Sequence, residues 1–350
     1  MARNTAYERD DVYDTVRRQF NNAELVELTG ICGFFAFNNR FQDSLHLPLE
    51  EPGEVDRIRA SVRGDPDRLK CFLATLLAQW PEAGGRADES SRTGDRGRAM
   101  GHGPDSCGVR PKPSHCADSA FAQRNDELPS RVPLLDAKIA PTESRQFLLA
   151  VEQLLGAVPN AARVWAHVPH VGKMFFPFYC ALEREGAGGV LTTSLKAIAL
   201  LRTSHVHAAP YGLGRYTELA RNAGVTRDQL VVIGSRNGAI SPLFSPRERA
   251  AMVWAEHVAS NTAKRNEAIF DELKEQFTNV EIVELTGLCA TCNMATLMYN
   301  ALRVPPDSPV VVAALNQSAQ ANPGRIKTYL QTVLEQWPRE FPVPDAGAAA

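Results

Sequence analysis

Residues 14–81 of this chain are repeated at 271–338 without a gap, at a constant offset of 257 positions. Twenty-five of the 68 aligned pairs are identical, far more than a chance ungapped match gives. The run Val-Glu-Leu-Thr-Gly occurs at 26–30 and at 283–287, and each copy ends in Gln-Trp-Pro. Copies this similar must adopt the same local structure. Residues 133–264 lie before the second copy and have no counterpart before the first, which indicates one whole unit preceded by the closing part of another.

Bulk properties exclude several classes of protein. The formal net charge of −2 over 350 residues creates no field that would recruit nucleic acid or an anionic membrane. We expect no membrane span and no signal peptide, because no sufficiently long apolar run is apparent. The seven cysteines are scattered and odd in number, which argues against a disulfide scaffold. The chain is therefore predicted to be cytoplasmic, with no nucleic-acid or membrane partner.

Composition divides the chain into three segments. Residues 1–83 form the partial repeat, 84–131 a linker and 132–350 the intact unit. The linker is rich in glycine, serine and proline and poor in aliphatic residues, so it cannot offset its ordering entropy by burial and is predicted to be disordered. It contains His102, Cys107, His115 and Cys116, but their spacing fits no standard zinc pattern, so no metal site is predicted.

Almost all other segments have the pattern of amphipathic helices. The predicted helices are 10–20, 23–46, 66–80, 142–155, 227–232, 246–263, 267–277, 280–303 and 323–337. Ser245-Pro246-Arg247-Glu248 is a capping box with proline at the first helical position. Earlier in the chain, Thr226 caps the short helix 227–232. The strand candidates at 189–191 and 231–233 are too short to found a sheet. The predicted fold class is all-α.

The segment 201–230 carries a family resemblance through Arg202, Ser204, Ala220, Gly224 and Thr226. It continues upstream through 131–135 and downstream through 245–250 to 284–287. The chain resembles the carboxymuconolactone decarboxylase and alkylhydroperoxidase D-like superfamily over about 131–304. This resemblance implies a helical bundle, here preceded by a duplicated half-unit of its closing helices. It also implies a small-molecule substrate, no cofactor, and a homo-oligomer assembled through the repeated helices.

The chemistry of that family does not carry over residue by residue. Ala209 and Gly212 stand where the peroxidase branch has its two cysteines, Tyr216 where it has a histidine, and Ala197 near its proton-relaying carboxylate. A thiolate nucleophile cannot be supplied by alanine or glycine. The acidic residue and the histidine of the decarboxylase branch, near Gly212 and Tyr216, are absent as well.

The polar and aromatic groups that remain between 205 and 216 are the candidate catalytic residues: His205, His207, Tyr211, Arg215 and Tyr216. Pro210 is predicted to lie inside the site helix and to kink it. On a helix His205 and His207 point about 200° apart, so only one of them can face a given pocket. Histidine is the natural general acid or base near pH 7. His207 with Tyr211 is therefore the predicted acid–base pair, although both could instead serve only the hydrogen bonding of a helical core.

Four further residues are candidates for the substrate pocket: Phe175, Tyr179, Cys292 and Asn293. Phe175 and Tyr179 lie on an aromatic helix that borders the cavity in proteins of this resemblance. Cys289 and Cys292 form the only Cys-x-x-Cys pair of the chain and are the candidate redox site. They lie in mid-helix, and Phe35 replaces Cys292 in the first copy, which favours a packing role.

Three hypotheses for function remain open. The first is a cofactor-independent lyase that acts on a small organic acid, lactone or polyketide-like ring by His/Tyr acid–base chemistry. The second is a thiol peroxidase that uses Cys289 and Cys292. The third is a non-catalytic binding or assembly protein that has lost the site. In each case the N-terminal helices are predicted to dock on the intact unit through Leu25, Leu28, Phe34 and Phe37, because an apolar helical face cannot stay exposed.

Overall fold

The fold is a bundle of α-helices. A computed structural model describes residues 4–60, 65–80, 128–235, 237–338 and 341. Within these ranges the helices are α1 Asp10–Arg17, α2 Asn22–Ser44, α3 Pro52–Ala60, α4 Pro66–Ala78, α5 Thr142–Leu155, α6 Asn160–Trp165, α7 Pro169–Glu183, α8 Thr193–Val206, α9 Pro210–Asn222, α10 Arg227–Val232, α11 Pro246–Ala259, α12 Glu267–Gln276, α13 Asn279–Leu302, α14 Pro309–Leu315 and α15 Pro323–Glu335. The described residues form no strand, only an isolated bridge between Glu185 and Gln320. The predicted all-α class is confirmed.

Local capping signals set the helix boundaries. Reciprocal capping boxes open four helices, at Asn21, Thr226, Ser245 and Thr278, in which a side chain at the cap and one three residues later each accept a backbone N–H. Gly156 ends α5 in the left-handed conformation, at φ 85°. The predicted boundaries agree with the structure to within a few residues. The exception is α11, which ends at Ala259 rather than near residue 263.

Helix α13 lies at the centre of the bundle and contributes to two apolar cores. One core combines α13 with α5, α6, α7 and α15, and the other combines it with α8, α9, α11 and α12. By length and composition α13 could cross a membrane, although the sequence predicted no membrane span. In the structure, 72% of the most apolar 18-residue stretch of α13 is buried inside the protein. Its hydrophobicity is accounted for by its central position.

The repeated helix α2 packs along α13, its own counterpart. Its contact face contains Leu25, Gly30, Gly33 and Ala36, and a Cβ atom added at Gly33 would lie 3.3 Å from the Met294 carbonyl oxygen. Small residues therefore allow the close approach of the two helices. The predicted docking face is partly wrong. Leu25 is buried and Phe37 partly buried, but Leu28 and Phe34 are exposed.

Polar contacts also bind the N-terminal segment to the intact unit. The Asp10 carboxylate pairs with the guanidinium groups of Arg131 and Arg303, each at 2.7 Å. These hydrogen bonds hold the pKa of Asp10 below its usual value. Arg303 also donates to the backbone carbonyl of Tyr7, across 296 positions of sequence. The first residues of the described chain are thus held by some of its last helices.

The three-segment division of the chain stays a prediction. Residues 84–127 of the predicted linker, with its His102, Cys107, His115 and Cys116, lie outside the described residues. Among the described residues no cluster of side chains could hold a metal ion.

Candidate functional site

The candidate catalytic segment is a helix, a turn and a second helix. Helix α8 ends at Val206, Ala208 takes the left-handed conformation at φ 46°, and α9 begins at Pro210. The predicted kink at Pro210 is wrong. Proline occupies the first position of α9, where a helix does not use the backbone N–H that proline lacks. The side chains before the turn, on α8, and those after it, on α9, therefore contact different parts of the protein.

The two histidines of this segment face different elements. The His205 ring lies against the backbone at Gly234, so closely that an added Cβ there would lie 2.4 Å from the ring. Nε2 of His207 lies 2.6 Å from Oδ1 of Asn293 on α13, so the Nε2–H tautomer donates to that amide. The two rings therefore contact different elements, the Gly234 backbone for His205 and α13 for His207.

His207 is half-buried beside the N-terminal half-unit. The Asn4 side chain donates to its backbone carbonyl at 3.0 Å. Burial, assisted by the nearby charge of Arg40 and opposed by the hydrogen bond to Asn293, lowers the pKa of His207 to about 4. The imidazole is therefore neutral at pH 7, and the N-terminal segment contributes two of its neighbours, Asn4 and Arg40.

Tyr211 is directed away from His207 by its own hydrogen bond. Its hydroxyl donates to Oδ2 of Asp307 at 2.8 Å, and its ring packs edge-on against Tyr299. Burial raises the pKa of Tyr211 well above its usual value, and burial likewise raises the pKa of Asp307. Asp307 was not singled out from the sequence, although its position between two prolines, before a capping serine, marks a turn. The structure pairs His207 with Asn293 and Tyr211 with Asp307, not with one another.

Arg215 belongs to a buried ionic cluster with Glu183 and Arg184. Oε2 of Glu183 accepts from Nη2 of Arg215 at 2.7 Å and from Nη1 of Arg184 at 3.0 Å. Burial lowers the pKa of Arg215, but the acidic groups of Glu183, Tyr211 and Asp307 together outweigh that effect and raise it overall. Oε1 of Glu183 and Nε of Arg215 are buried without a partner in the described structure. Sequence reasoning missed Glu183, for which the available signal was an acid at the end of an apolar helix.

Tyr216 and the two candidate redox thiols are buried nearby. The Tyr216 hydroxyl contacts that of Tyr179. Sγ of Cys292 lies 3.7 Å from the Leu200 carbonyl oxygen, within hydrogen-bonding range for sulfur. Burial raises the pKa of Cys292 to about 12 and raises that of Cys289 further still. Neither thiol ionises appreciably at neutral pH, so the pair lacks the thiolate that peroxide reduction requires.

An apolar groove of about 720 Å³ lies between α2 and α7, with α13 at its base. Its lining is Glu27, Gly30, Ile31, Phe34, Phe35, Phe37, Trp165, Val171, Met174, Phe175, Phe178, Thr291 and Met294. Of the predicted pocket residues only Phe175 lines it, whereas Tyr179, Cys292 and Asn293 are buried elsewhere. None of the main cavities in the described part of the chain is lined by His205, His207, Tyr211, Arg215 or Tyr216.

No protein-family model and no curated protein matches the chain. Among solved structures, it is similar to an alkylhydroperoxidase D core protein, an uncharacterised peroxidase-related protein from Ralstonia eutropha JMP134. The identity is 23%, the TM-score 0.45, and the match covers 53% of this chain and 96% of that one. It is also similar to the debrominase Bmp8 bound to 2,3,4-tribromopyrrole, at 21% identity and a TM-score of 0.42, over 54% of this chain and 99% of that one. Both neighbours have the alkylhydroperoxidase D-like fold named from the sequence, and at such identities the similarity concerns the fold alone.

Proposed function

We propose that this chain is a binding and assembly protein of alkylhydroperoxidase D-like fold. Its binding site is the apolar groove between α2 and α7. The observation that carries the proposal is the exposure of large apolar side chains on both walls of the groove: Ile31, Phe34 and Phe35 on one, Val171 and Phe178 on the other. Soluble proteins rarely leave such a contiguous apolar surface open unless something binds there.

The hydrogen bonding of the candidate catalytic residues supports the same proposal. The polar groups between 205 and 216 are engaged within the protein: His207 with Asn293, Tyr211 with Asp307, and Arg215 with Glu183. A general acid or base must reach the proton that it transfers, within hydrogen-bonding distance of a bound substrate. None of these groups lines the apolar groove between α2 and α7.

Acid–base catalysis on a small organic acid or lactone is the second candidate. It is favoured by His207, which is neutral at pH 7 and only half-buried, so that it retains an accessible imidazole. Under this candidate His207→Asn should lower turnover of an identified substrate by about 10²–10⁴-fold. The thiol peroxidase hypothesis is the least favoured, because both thiols are buried and un-ionised.

Binding of an apolar fluorescent dye, anilinonaphthalene sulfonate, to the folded protein tests the proposal. We expect saturable dye fluorescence that is lost in Phe34→Glu, which places a charge in the groove. It should be kept in the control Val231→Glu, a change at an exposed apolar residue of α10. Dye binding that Phe34→Glu leaves unchanged, or turnover of a carboxylic acid or lactone that depends on His207, would contradict it.

The predicted homo-oligomer is part of this proposal. Besides α2, the repeated helix α4 exposes a stripe of Leu69, Phe72 and Leu76 at helical spacing. If copies of the chain associate through α4, sedimentation should give a mass above 38.3 kDa for the wild type and a monomer for Phe72→Glu. A monomeric wild type would exclude it.

A further inference from the structure

The outward side of α2 is a second copy of a surface that already binds a helix within this protein. Four residues define this outer strip: Glu27, Leu28, Ile31 and Phe35. The offset of 257 places their counterparts on α13, at Glu284, Leu285, Leu288 and Cys292. The strip begins within the identical run Val-Glu-Leu-Thr-Gly, so its first half is chemically the same as the template.

On α13 the counterpart residues hold α8 and the loop before it. Oε2 of Glu284 accepts the backbone N–H groups of Val190 and Leu191 at 2.6 and 3.0 Å. Its Oε1 lies 2.6 Å from Nζ of Lys196, a lysine in the first turn of α8 that is fully buried. The carboxylate thus fixes where α8 begins. An added Cβ at Gly189 would lie 2.2 Å from that carboxylate, so the loop approaches closely.

The apolar counterparts complete the contact with α8. Leu285 and Leu288 lie in the core that includes Leu195, Ile198 and Leu201 of α8. Cys292 contacts the Leu200 carbonyl. Leu285, Leu288 and Cys292 are 0%, 1% and 1% exposed, whereas Leu28, Ile31 and Phe35 are 39%, 49% and 62% exposed. Among the described residues, the same face is covered in one copy and exposed in the other.

We infer that the outer strip of α2 binds an apolar α-helix of another polypeptide, in the way that α13 binds α8, with a lysine in the first turn of that helix paired with Glu27. The inference rests on the proposed function and names the class of partner. Phe35 is larger than its counterpart Cys292, whose Sγ lies near the Leu200 carbonyl oxygen and the Ser204 hydroxyl, so the partner helix needs a side chain no larger than serine where α8 has Ser204. A helix with a bulky residue there would be held away from the strip, because close-packed surfaces do not accept added volume without moving apart.

The test uses the full chain and a labelled synthetic peptide of residues 188–206, which retains Ser204. We expect saturable binding, measured by fluorescence anisotropy, that Ile31→Glu or Phe35→Glu weakens by at least about tenfold. Val231→Glu on α10 is the matched control and should bind as the wild type does. Because all of these positions are exposed, circular dichroism should show unchanged helix content and so exclude unfolding as the cause.

A charge exchange tests the pairing of Glu27 with the lysine. Glu27→Lys should weaken binding of the peptide, and a peptide that carries Lys196→Glu should bind the Glu27→Lys protein again. Absence of saturable binding, or binding that no strip substitution affects, would overturn the inference. So would a dimer of the chain alone that Phe35→Glu dissociates, because the strip would then belong to a second copy. If the peptide fails while dye binding remains sensitive to Phe34→Glu, the helix partner is wrong and the proposed function still stands.

Discussion

Glu183 and Arg215 form an ion pair with its two charged groups 2.7 Å apart, in a part of the interior where neither side chain is more than 4% exposed. Arg184 shares the same carboxylate oxygen. The cluster joins the end of α7 to α9, and one acid balances two guanidinium groups. Its effect on stability follows from this composition.

Removal of the shared acid should be costly. In Glu183→Gln two buried arginines lose the carboxylate that they share, and breaking a buried pair from one side typically costs about 3–5 kcal/mol. We expect the free energy of unfolding in urea to fall by that amount. The matched control is Glu218→Gln, which breaks the more exposed pair with Arg221 and should cost less than about 1 kcal/mol. Equal effects of the two substitutions would show that burial does not govern the energetics of this cluster.

The lowered pKa of His207 predicts a dependence of stability on pH. The folded protein binds a proton at His207 only near pH 4, whereas the unfolded chain binds one near 6.5. Between these values the unfolded state holds more protons, so stability is full above about pH 6.5 and falls as the pH is lowered toward 4. With partial exposure the loss should be about 1–3 kcal/mol.

Urea unfolding at several pH values measures this effect. His207→Gln should flatten the wild-type pH dependence, while His46→Gln, at an exposed position, should leave it unchanged. His167 and His170 also have pKa values lowered by burial, so some dependence remains in the His207 variant. A pH profile identical in wild type and His207→Gln would contradict the prediction.

Thiol reactivity should separate surface cysteines from core cysteines. Cys32 and Cys71 are exposed, whereas Cys180, Cys289 and Cys292 are buried and burial raises the pKa of each. In the native protein Cys32→Ser should remove one fast-reacting thiol in a colorimetric titration, and Cys292→Ser should remove none. Peroxide should not be turned over. Thiol-dependent turnover that Cys289→Ser abolishes would restore the peroxidase hypothesis.

The docking of α2 on α13 should depend on Gly33. A side chain there meets the backbone and side chain of Met294, so Gly33→Leu should destabilise the protein by about 1–3 kcal/mol. At Gly53 on α3 an added Cβ has nothing within 4 Å, and Gly53→Ala should be neutral or slightly stabilising. Protease digestion should release the N-terminal helices faster from Gly33→Leu than from wild type. Equal rates would mean that α2 is held by contacts other than this close approach.

The sequence predicted those parts of the fold that local chemistry determines. Ser245, Thr226 and Gly156 mark helix ends through their own side chains or backbone freedom, and the structure agrees with each. Pro210 was misplaced because proline fits both a kink and a first helical position, and only the preceding turn distinguishes them. The exposed Leu28 was misassigned because equivalent positions of the two copies were expected to share the same burial, whereas its counterpart Leu285 is buried and α2 docks through glycine and alanine.

The candidate site was less accessible from the sequence, because its pairings depend on how helices cross. Glu183 and Arg215 are 32 positions apart, and Tyr211 and Asp307 are 96 apart. The hydrophobic periodicity of a sequence does not predict contacts between side chains so far apart in the chain. The catalytic roles of His207 and Tyr211 therefore stay predictions, while their contacts are described by the structure.

The contact between Arg303 and the Tyr7 carbonyl also constrains how the protein is made. A ribosome releases the chain from its N-terminus, so Tyr7 and Asp10 emerge long before Arg303, one of the two arginines that hold them. Until some 300 residues have been synthesised, α1 and α2 have no α13 to cover them. The apolar faces of α1 and α2 therefore stay without α13 through most of translation. The first half-unit is therefore the part of this protein most in need of chaperone protection during synthesis.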